Sequence, residues 1–199
     1  MNDERTFRIA FWGLVGAVIL MRVFFLARVR RAGGNVLPDR EAVRREGRGF
    51  FTLRLALFLF LLTLLVYGIS PLHLGFLGIP LPAPVRWAGV GLGAVSVGFW
   101  TWTHLALGRF WSAQLQLQTD HHLVTTGPYA RIRHPMYTAI MGWMIGAALV
   151  TANWALVAFA AAMIIFLAGR VPNEEQMLVE HFGDEYREYT KRSGRFLPR

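Results

Sequence analysis

The feature that most constrains this chain is a series of apolar runs long enough to cross a lipid bilayer. Residues 7–27, 50–69 and 85–107 each approach or exceed the roughly 20 residues a helix needs to span the hydrocarbon core. A backbone inside hydrocarbon has to satisfy its own hydrogen bonds, so these runs read as helices. Two shorter runs follow, 136–150 and 154–169, separated only by Thr151, Ala152 and Asn153. They read as a tight helical hairpin, each arm short for a full crossing. The expected fold is an all-α integral membrane protein with five transmembrane helices, the last two forming a C-terminal helical hairpin, and a cytoplasmic helical tail.

Composition agrees. Of 199 residues, 54% are hydrophobic and only 17% charged, less charge than a soluble domain of this length carries. Cysteine is absent, which excludes disulfides, thiolate metal sites and a cysteine nucleophile. The net charge of +9 would suit nucleic acid, but the arginines sit in blocks between the apolar runs, which points to a bilayer and to no nucleic-acid partner. Lys191 is the single lysine among these cations, a bias typical of a GC-rich microbial genome.

The same arginines orient the chain. Arg28, Arg30, Arg31, Arg40, Arg44, Arg45 and Arg48 follow the first run, and Arg109, Arg131 and Arg133 precede the fourth. Residues 70–84 and the 151–153 turn carry no Lys or Arg, and the tail is basic again. The positive-inside rule then puts the N-terminus outside, with the active site and C-terminus facing the cytoplasm. Residues 1–5 show no cleavable signal pattern, so the first run is read as retained. Arg22 and Arg54 lie inside apolar runs near their cytoplasmic ends and are expected to snorkel to the interface. Trp100, Trp102 and Trp111 suit an aromatic interface belt.

Two regions result. Residues 1–107 hold three N-terminal spans and a basic cytoplasmic loop at 28–49; residues 108–199 hold an interfacial loop, the hairpin at 136–170 and the tail at 171–199. Gly142 and Gly146 form a small-residue pair on the fourth run, and Ala155, Ala158 and Ala162 offer a small face on the fifth, allowing close backbone approach in the hairpin. Gln114 to Gln118 alternates with period two and reads as a short extended segment. Pro172, Glu174 and Glu175 mark a helix start in the tail. Leu178, Phe182, Tyr186 and Tyr189 give that helix one apolar face, and Gly183 and Asp184 divide it, with Asp184 capping the second piece.

The chemistry gathers in two segments. In the first, residues 121–137, Gly127 and Pro128 make a turn and Pro135 is placed as the first residue of the fourth helix. Arg133 and His134 then stand beside a helix N-terminus, where free N–H groups and the guanidinium together suit a carboxylate or phosphate. In the second, residues 170–175, the fifth helix reaches the cytoplasm; a closed hairpin would set Arg170, Glu174 and Glu175 opposite Arg133 and His134 across a cleft. His121, His122 and His134 lack the spacing of a metal site, so no metal is expected.

In order and spacing, Gly127-Pro128-Tyr129, Arg133-His134-Pro135-Met136-Tyr137, the run from Arg170 to Glu175, and Phe182-Gly183-Asp184-Glu185-Tyr186-Arg187-Glu188-Tyr189 resemble the isoprenylcysteine carboxyl methyltransferase family and its wider group of membrane phospholipid methyltransferases. The resemblance covers roughly the last eighty residues and suggests a prokaryotic member. Ala139 stands where the family commonly has glycine. The resemblance implies an S-adenosyl-L-methionine pocket built from the last two transmembrane helices, the loop before them and the tail, with a lipophilic or prenylated acceptor entering from the bilayer. His122, Leu123, Val124, Tyr129, Arg133, His134, Tyr137 and Glu174 would line the cofactor, and Arg170 and Glu175 would be catalytic, nearest the reacting groups. Two other functions compete: an NADPH-dependent membrane reductase of the sterol-reductase type, and a non-catalytic lipid-binding membrane protein.

Overall fold

The structure, a computed structural model, describes residues 2–31, 55, 58–59, 75–108 and 123–199. It is helical: α1 (Asn2–Arg31), α2 (Ala83–Leu107), α3 (Pro135–Thr151), α4 (Trp154–Phe182) and α5 (Asp184–Arg192), with single 3₁₀ turns at Gly75–Leu77 and Gly127–Ala130. Among the described residues, α1, α2 and α4 are long and apolar enough to cross a membrane, which makes this a multi-pass membrane protein. At 17 residues, α3 is shorter, roughly 25 Å against a hydrocarbon core of about 30 Å. Of the second expected run, 50–69, only Leu55, Phe58 and Leu59 are described, and all are helical. Arg54, Trp111, the Gln114–Gln118 segment and residues 32–49 of the basic loop lie outside the described residues, whereas residues 28–31, expected to open that loop, form the last turn of α1.

Side-chain contacts fix the helix directions. Glu4 meets Arg86 near the start of both helices, the Phe7 and Trp87 rings lie 5.3 Å apart, and Phe25 stacks on His104 near both ends. Thus α1 and α2 run parallel. By contrast α3 is antiparallel to α2: an added Cβ at Gly89 would sit 2.6 Å from the Leu149 Cβ, and one at Gly142 would sit 2.5 Å from the Ser96 Oγ.

The glycine pair on α3 does not serve the hairpin as the sequence suggested. A Cβ at Gly146 would come within 2.7 Å of the Gly93 nitrogen and 2.8 Å of the Gly89 carbonyl oxygen. The small-residue seam therefore joins α3 to α2, where a second glycine pair is spaced to receive it, and backbone contact replaces side-chain packing. On α4, Ala158 and Ala162 are exposed. The core sits where α1 crosses this pair, with Phe7, Phe11, Leu14 and Val15 packed on Trp143, Ala147, Val150 and, from α4, Leu156.

Arg86 closes the end of the bundle away from the tail. Its Nε donates to the Val150 carbonyl oxygen (2.9 Å), its Nη1 to Glu4 (2.6 Å), and its guanidinium lies over the Phe7 ring. At the same end α3 stops at Thr151; Ala152 turns through φ 47°, and Asn153 caps α4 by accepting from the Ala155 nitrogen at 3.0 Å.

A second departure concerns the tail. No new helix starts at Pro172, because α4 runs unbroken from Trp154 to Phe182 with Pro172 inside it. Pro172 gives up its own N–H and its ring crowds the carbonyl four residues back, but its fixed φ is compatible with helix and the flanking hydrogen bonds carry the helix through. The next break comes at Gly183, which takes φ 55° and, rather than Asp184, is the cap of α5, with Asp184 and Glu185 in the first turn. A left-handed φ suits glycine, which carries no Cβ to clash there.

Candidate active site

The site lies where α3 begins, α4 passes, and the chain after α5 folds back. Gly127 adopts φ 59°, which lets the chain turn into Gly127–Ala130 and bury Pro128 and Tyr129. Residues 131–134 then run beside the tail: Arg133 N donates to Gly194 O (2.8 Å), His134 N to Arg195 O (3.0 Å), and Gly194 N to Arg131 O (2.9 Å). A Cβ at Gly194 would overlap the Leu197 carbonyl. Helix α3 opens at Pro135 as expected, with His134 at the cap position, 5% exposed. Thr138 Oγ1 ties the first turn to the tail through Phe196 O at 2.7 Å.

Because α4 continues past the membrane arm as one rod, it carries Glu174 and Glu175 to this helix start. Glu175 is the hub. Its Oε1 accepts from Arg133 Nε at 2.9 Å and lies 3.3 Å from His134 Nε2; Arg195 reaches Oε1 at 3.3 Å and Oε2 at 2.5 Å. Arg133 Nη1 also donates to the carbonyls of Thr190 (3.2 Å) and Ser193. The anion suited to Arg133 and His134 is thus the chain's own carboxylate. Glu174 points elsewhere and accepts from the Tyr137 hydroxyl at 2.7 Å. The Tyr137 ring stacks on His134, 5.7 Å between centroids and 9° between planes.

Three buried tyrosines floor the tail. Tyr189 donates to Tyr129 O at 2.6 Å, and its own carbonyl accepts from Ser193 Oγ at 2.6 Å. Burial pushes the Tyr189 phenol up to about 12, against a partial pull down by the Arg133 charge. Tyr129 and Tyr186 are raised as well, first by burial and then by the neighbouring charge of Glu174 and Glu175 respectively. All three are neutral at physiological pH; the Tyr189 hydroxyl is hydrogen-bonded, whereas the buried Tyr186 hydroxyl has no partner among the described residues.

Of the ten site residues expected from sequence, Arg133, His134 and Glu175 meet directly, and Tyr137 meets Glu174. Tyr129 packs beneath them. Leu123 and Val124 are half-buried at the start of the described segment, and His122 lies outside it. Arg170 is half-buried on α4. Four residues before Glu174 it shares that residue's face, whereas five residues separate it from Glu175, a turn of about 140° around the axis. Arg170 and Glu175 therefore do not project together. The reading from sequence missed Arg195, Thr190, Ser193 and the hydrogen-bonding role of Tyr189. Nothing in their spacing signals them, because their partners lie twenty to sixty residues upstream.

Known proteins share this region. Residues 92–180 match the model described as the isoprenylcysteine carboxyl methyltransferase (ICMT) family. The match starts inside α2 and stops short of Phe182, rather than covering the last eighty residues. The chain is 36% identical over 80 residues to protein-S-isoprenylcysteine O-methyltransferase of Schizosaccharomyces pombe, covering 40% of this chain and 34% of that protein. The enzyme of the same name from Saccharomyces cerevisiae is 39% identical over 82 residues (41% and 34%), and that from Homo sapiens 40% over 86 residues (43% and 30%). The aligned stretch spans between about a third and a half of the length of these curated relatives. A solved structure, that of the eukaryotic intramembrane Ras methyltransferase ICMT, superposes with a TM-score of 0.53 at 29% identity, covering 57% of this chain and 42% of the other.

Proposed function

We propose, on the premise that residues 92–180 are a segment of the isoprenylcysteine carboxyl methyltransferase family, that this protein is a membrane methyltransferase using S-adenosylmethionine. Its acceptor is lipophilic, the carboxylate of an isoprenylcysteine-like compound or a lipid head group, and enters from the bilayer. The observation carrying this reading is the Glu175 hub, which locks the start of α3, the far end of α4 and the tail into one polar surface at the mouth of a membrane bundle.

The donor set suits the cofactor. S-adenosylmethionine is zwitterionic at its amino-acid end and cationic at sulfur. Glu174 offers a carboxylate for its cations, while Arg133 and His134, which hold Glu175, form the polar edge of the pocket beside Leu123, Val124 and Tyr129. Tyr137 holds Glu174 in place, and His122 precedes this wall. When bound, the cofactor supplies a methyl carbon activated by the sulfonium. The chain's part is alignment and the exclusion of water from a charged nucleophile. Arg170 orients an acceptor carboxylate with its paired N–H groups, while Glu175 fixes the cations of the site. Arg28, Arg30 and Arg31 end α1 at the level of Arg133 and Arg170, which favours a cytoplasmic site with the N-terminus outside.

Calorimetric titration of S-adenosylhomocysteine into the detergent-solubilised protein tests this, with Glu175→Ala and Arg133→Ala beside the wild type. Micromolar binding that weakens at least about tenfold in both variants, a loss of roughly 1.4 kcal/mol, is the expected result. NADPH binding in its place would give the protein to the reductases. Binding of neither by folded protein would leave a non-catalytic lipid-binding protein.

A further inference from the structure

Arg22 does not behave as a snorkelling arginine. It sits nine residues before the end of α1 at Arg31, roughly 13 Å along the helix. Its guanidinium turns into the α1–α2 interface, where Cζ lies 5.9 Å from the centre of the Trp100 ring. Trp100 is 7% exposed and His104 only 1%. The His104 ring lies within 14° of parallel both to Trp100, at 6.3 Å, and to Phe25, at 4.6 Å. An intramembrane cation has thus been drawn into a row of aromatic rings contributed by two helices.

We infer that Arg22, backed by Trp100 and His104, is an anion-selecting position that receives the acceptor's carboxylate at the α1–α2 seam on its way from the bilayer to the site. A cation deep in an apolar helix is costly and is kept where it has work to do. An aromatic ring engages the face of a guanidinium, while its N–H donors radiate from the edge and match a carboxylate fork. Continuity with the site is direct: Met21, Phe25 and Trp100 form one buried cluster with Ala139, joined by Met136 and Ile140 of α3. Met136 is two residues from His134. The flank of the seam suits the acceptor's chain, since Val23, Phe24, Trp102 and Leu105 are exposed apolar side chains at the same level. An amphiphile with an anionic head fits this arrangement, head inward and chain along the lipid face. Neither Arg22 nor Phe25 falls within the segment shared with the family.

This inference rests on the methyltransferase reading, and its test is separable from it. The full chain in zwitterionic-lipid nanodiscs is titrated with N-acetyl-S-farnesylcysteine and with its methyl ester, and independently with S-adenosylhomocysteine. The wild type is expected to bind the acid about tenfold more tightly than the ester. Arg22→Gln should cut that preference to about twofold with S-adenosylhomocysteine binding unchanged. In turnover, KM for the acid should rise about tenfold with kcat within about twofold. An acid preference unchanged in Arg22→Gln overturns the proposal. If that variant loses S-adenosylhomocysteine binding, Arg22→Lys decides: the charge without the fork should cost about threefold in acid preference, and an unchanged preference overturns it. Equal binding of acid and ester by the wild type, with displacement of both by phosphatidylglycerol, would assign Arg22 to lipid phosphate and also overturns it. Absence of S-adenosylhomocysteine binding in the wild type defeats the methyltransferase reading instead, whatever the acid preference.

Discussion

The Nε of Arg133 donates to Oε1 of Glu175 across 2.9 Å, and this contact between residues 42 apart joins the start of α3 to the far end of α4. Both side chains are largely buried, 12% and 14% exposed. Arg195, which meets the same carboxylate, is 48% exposed. The two arginines on Glu175 are therefore unequal in what they contribute.

Removing the carboxylate leaves Arg133 buried without its counter-charge. Glu175→Gln should destabilise the protein by about 3 kcal/mol, as loss of one partner of a buried pair does. Arg195→Ala removes a solvent-screened contact and should cost under about 1 kcal/mol. Thermal unfolding of both variants in detergent checks the order, and equal losses would refute it.

Tyr137→Phe deletes the hydroxyl that holds Glu174 while keeping the ring stacked on His134. A hydrogen bond to a charged group contributes about 1.5–3 kcal/mol. S-adenosylhomocysteine affinity should fall about tenfold or more, alongside a lower melting temperature from the lost hydrogen bond. Calorimetry beside a melt separates the two effects, and intact affinity would remove Glu174 from the cofactor.

The glycine seam predicts a graded series. Gly146→Ala forces a Cβ against the backbone of Gly89 and Gly93 and should cost about 1–3 kcal/mol, the usual penalty for overpacking. Gly142→Ala meets the Ser96 hydroxyl, which can rotate away, and should cost less. Gly98→Ala has nothing within 4 Å and should be neutral or stabilising. Unfolding midpoints in this order would support the seam; a destabilised Gly98→Ala would count against it.

Alkaline pH should release the tail. The protonated phenol is the neutral form, and burial raises the folded-state value of Tyr189 to about 12, above the ordinary 10. The native state thus holds its proton longer than the unfolded chain. Its contribution to stability is complete below pH 10 and is lost as pH rises from 10 towards 12. Absorbance titration of the five tyrosines should show a late-ionising set that includes Tyr129, Tyr186 and Tyr189. In Tyr189→Phe the remaining late set should ionise earlier, because the Tyr189 hydrogen bond to Tyr129 O is gone. An unchanged profile would mean that this hydrogen bond does not hold the tail.

Much of the fold and of the site is legible in the amino-acid sequence, for reasons that are local. Pro135 opens α3 because a residue without an N–H costs nothing at a helix start. The turn at 151–153 follows from the polar Asn153 placed between two apolar runs, and Gly183 breaks α4 from α5 because it can take a positive φ. Arg133, His134, Glu174 and Glu175 stand out because charge beside a long apolar run needs a reason to be there.

The sequence by itself determined what each segment can be: which runs must be helices in lipid, which ends carry charge, and which motifs hold the chemistry. Only the tertiary structure decided which segments meet. It sent the α3 glycines to α2 rather than α4, carried α4 through Pro172, turned Arg22 towards Trp100, and brought Arg195 onto Glu175. Periodicity and capping act over a few residues and are written in the chain. A contact across twenty to sixty residues depends on helix directions and on the competition between alternative small faces, and those are settled only when the whole bundle packs.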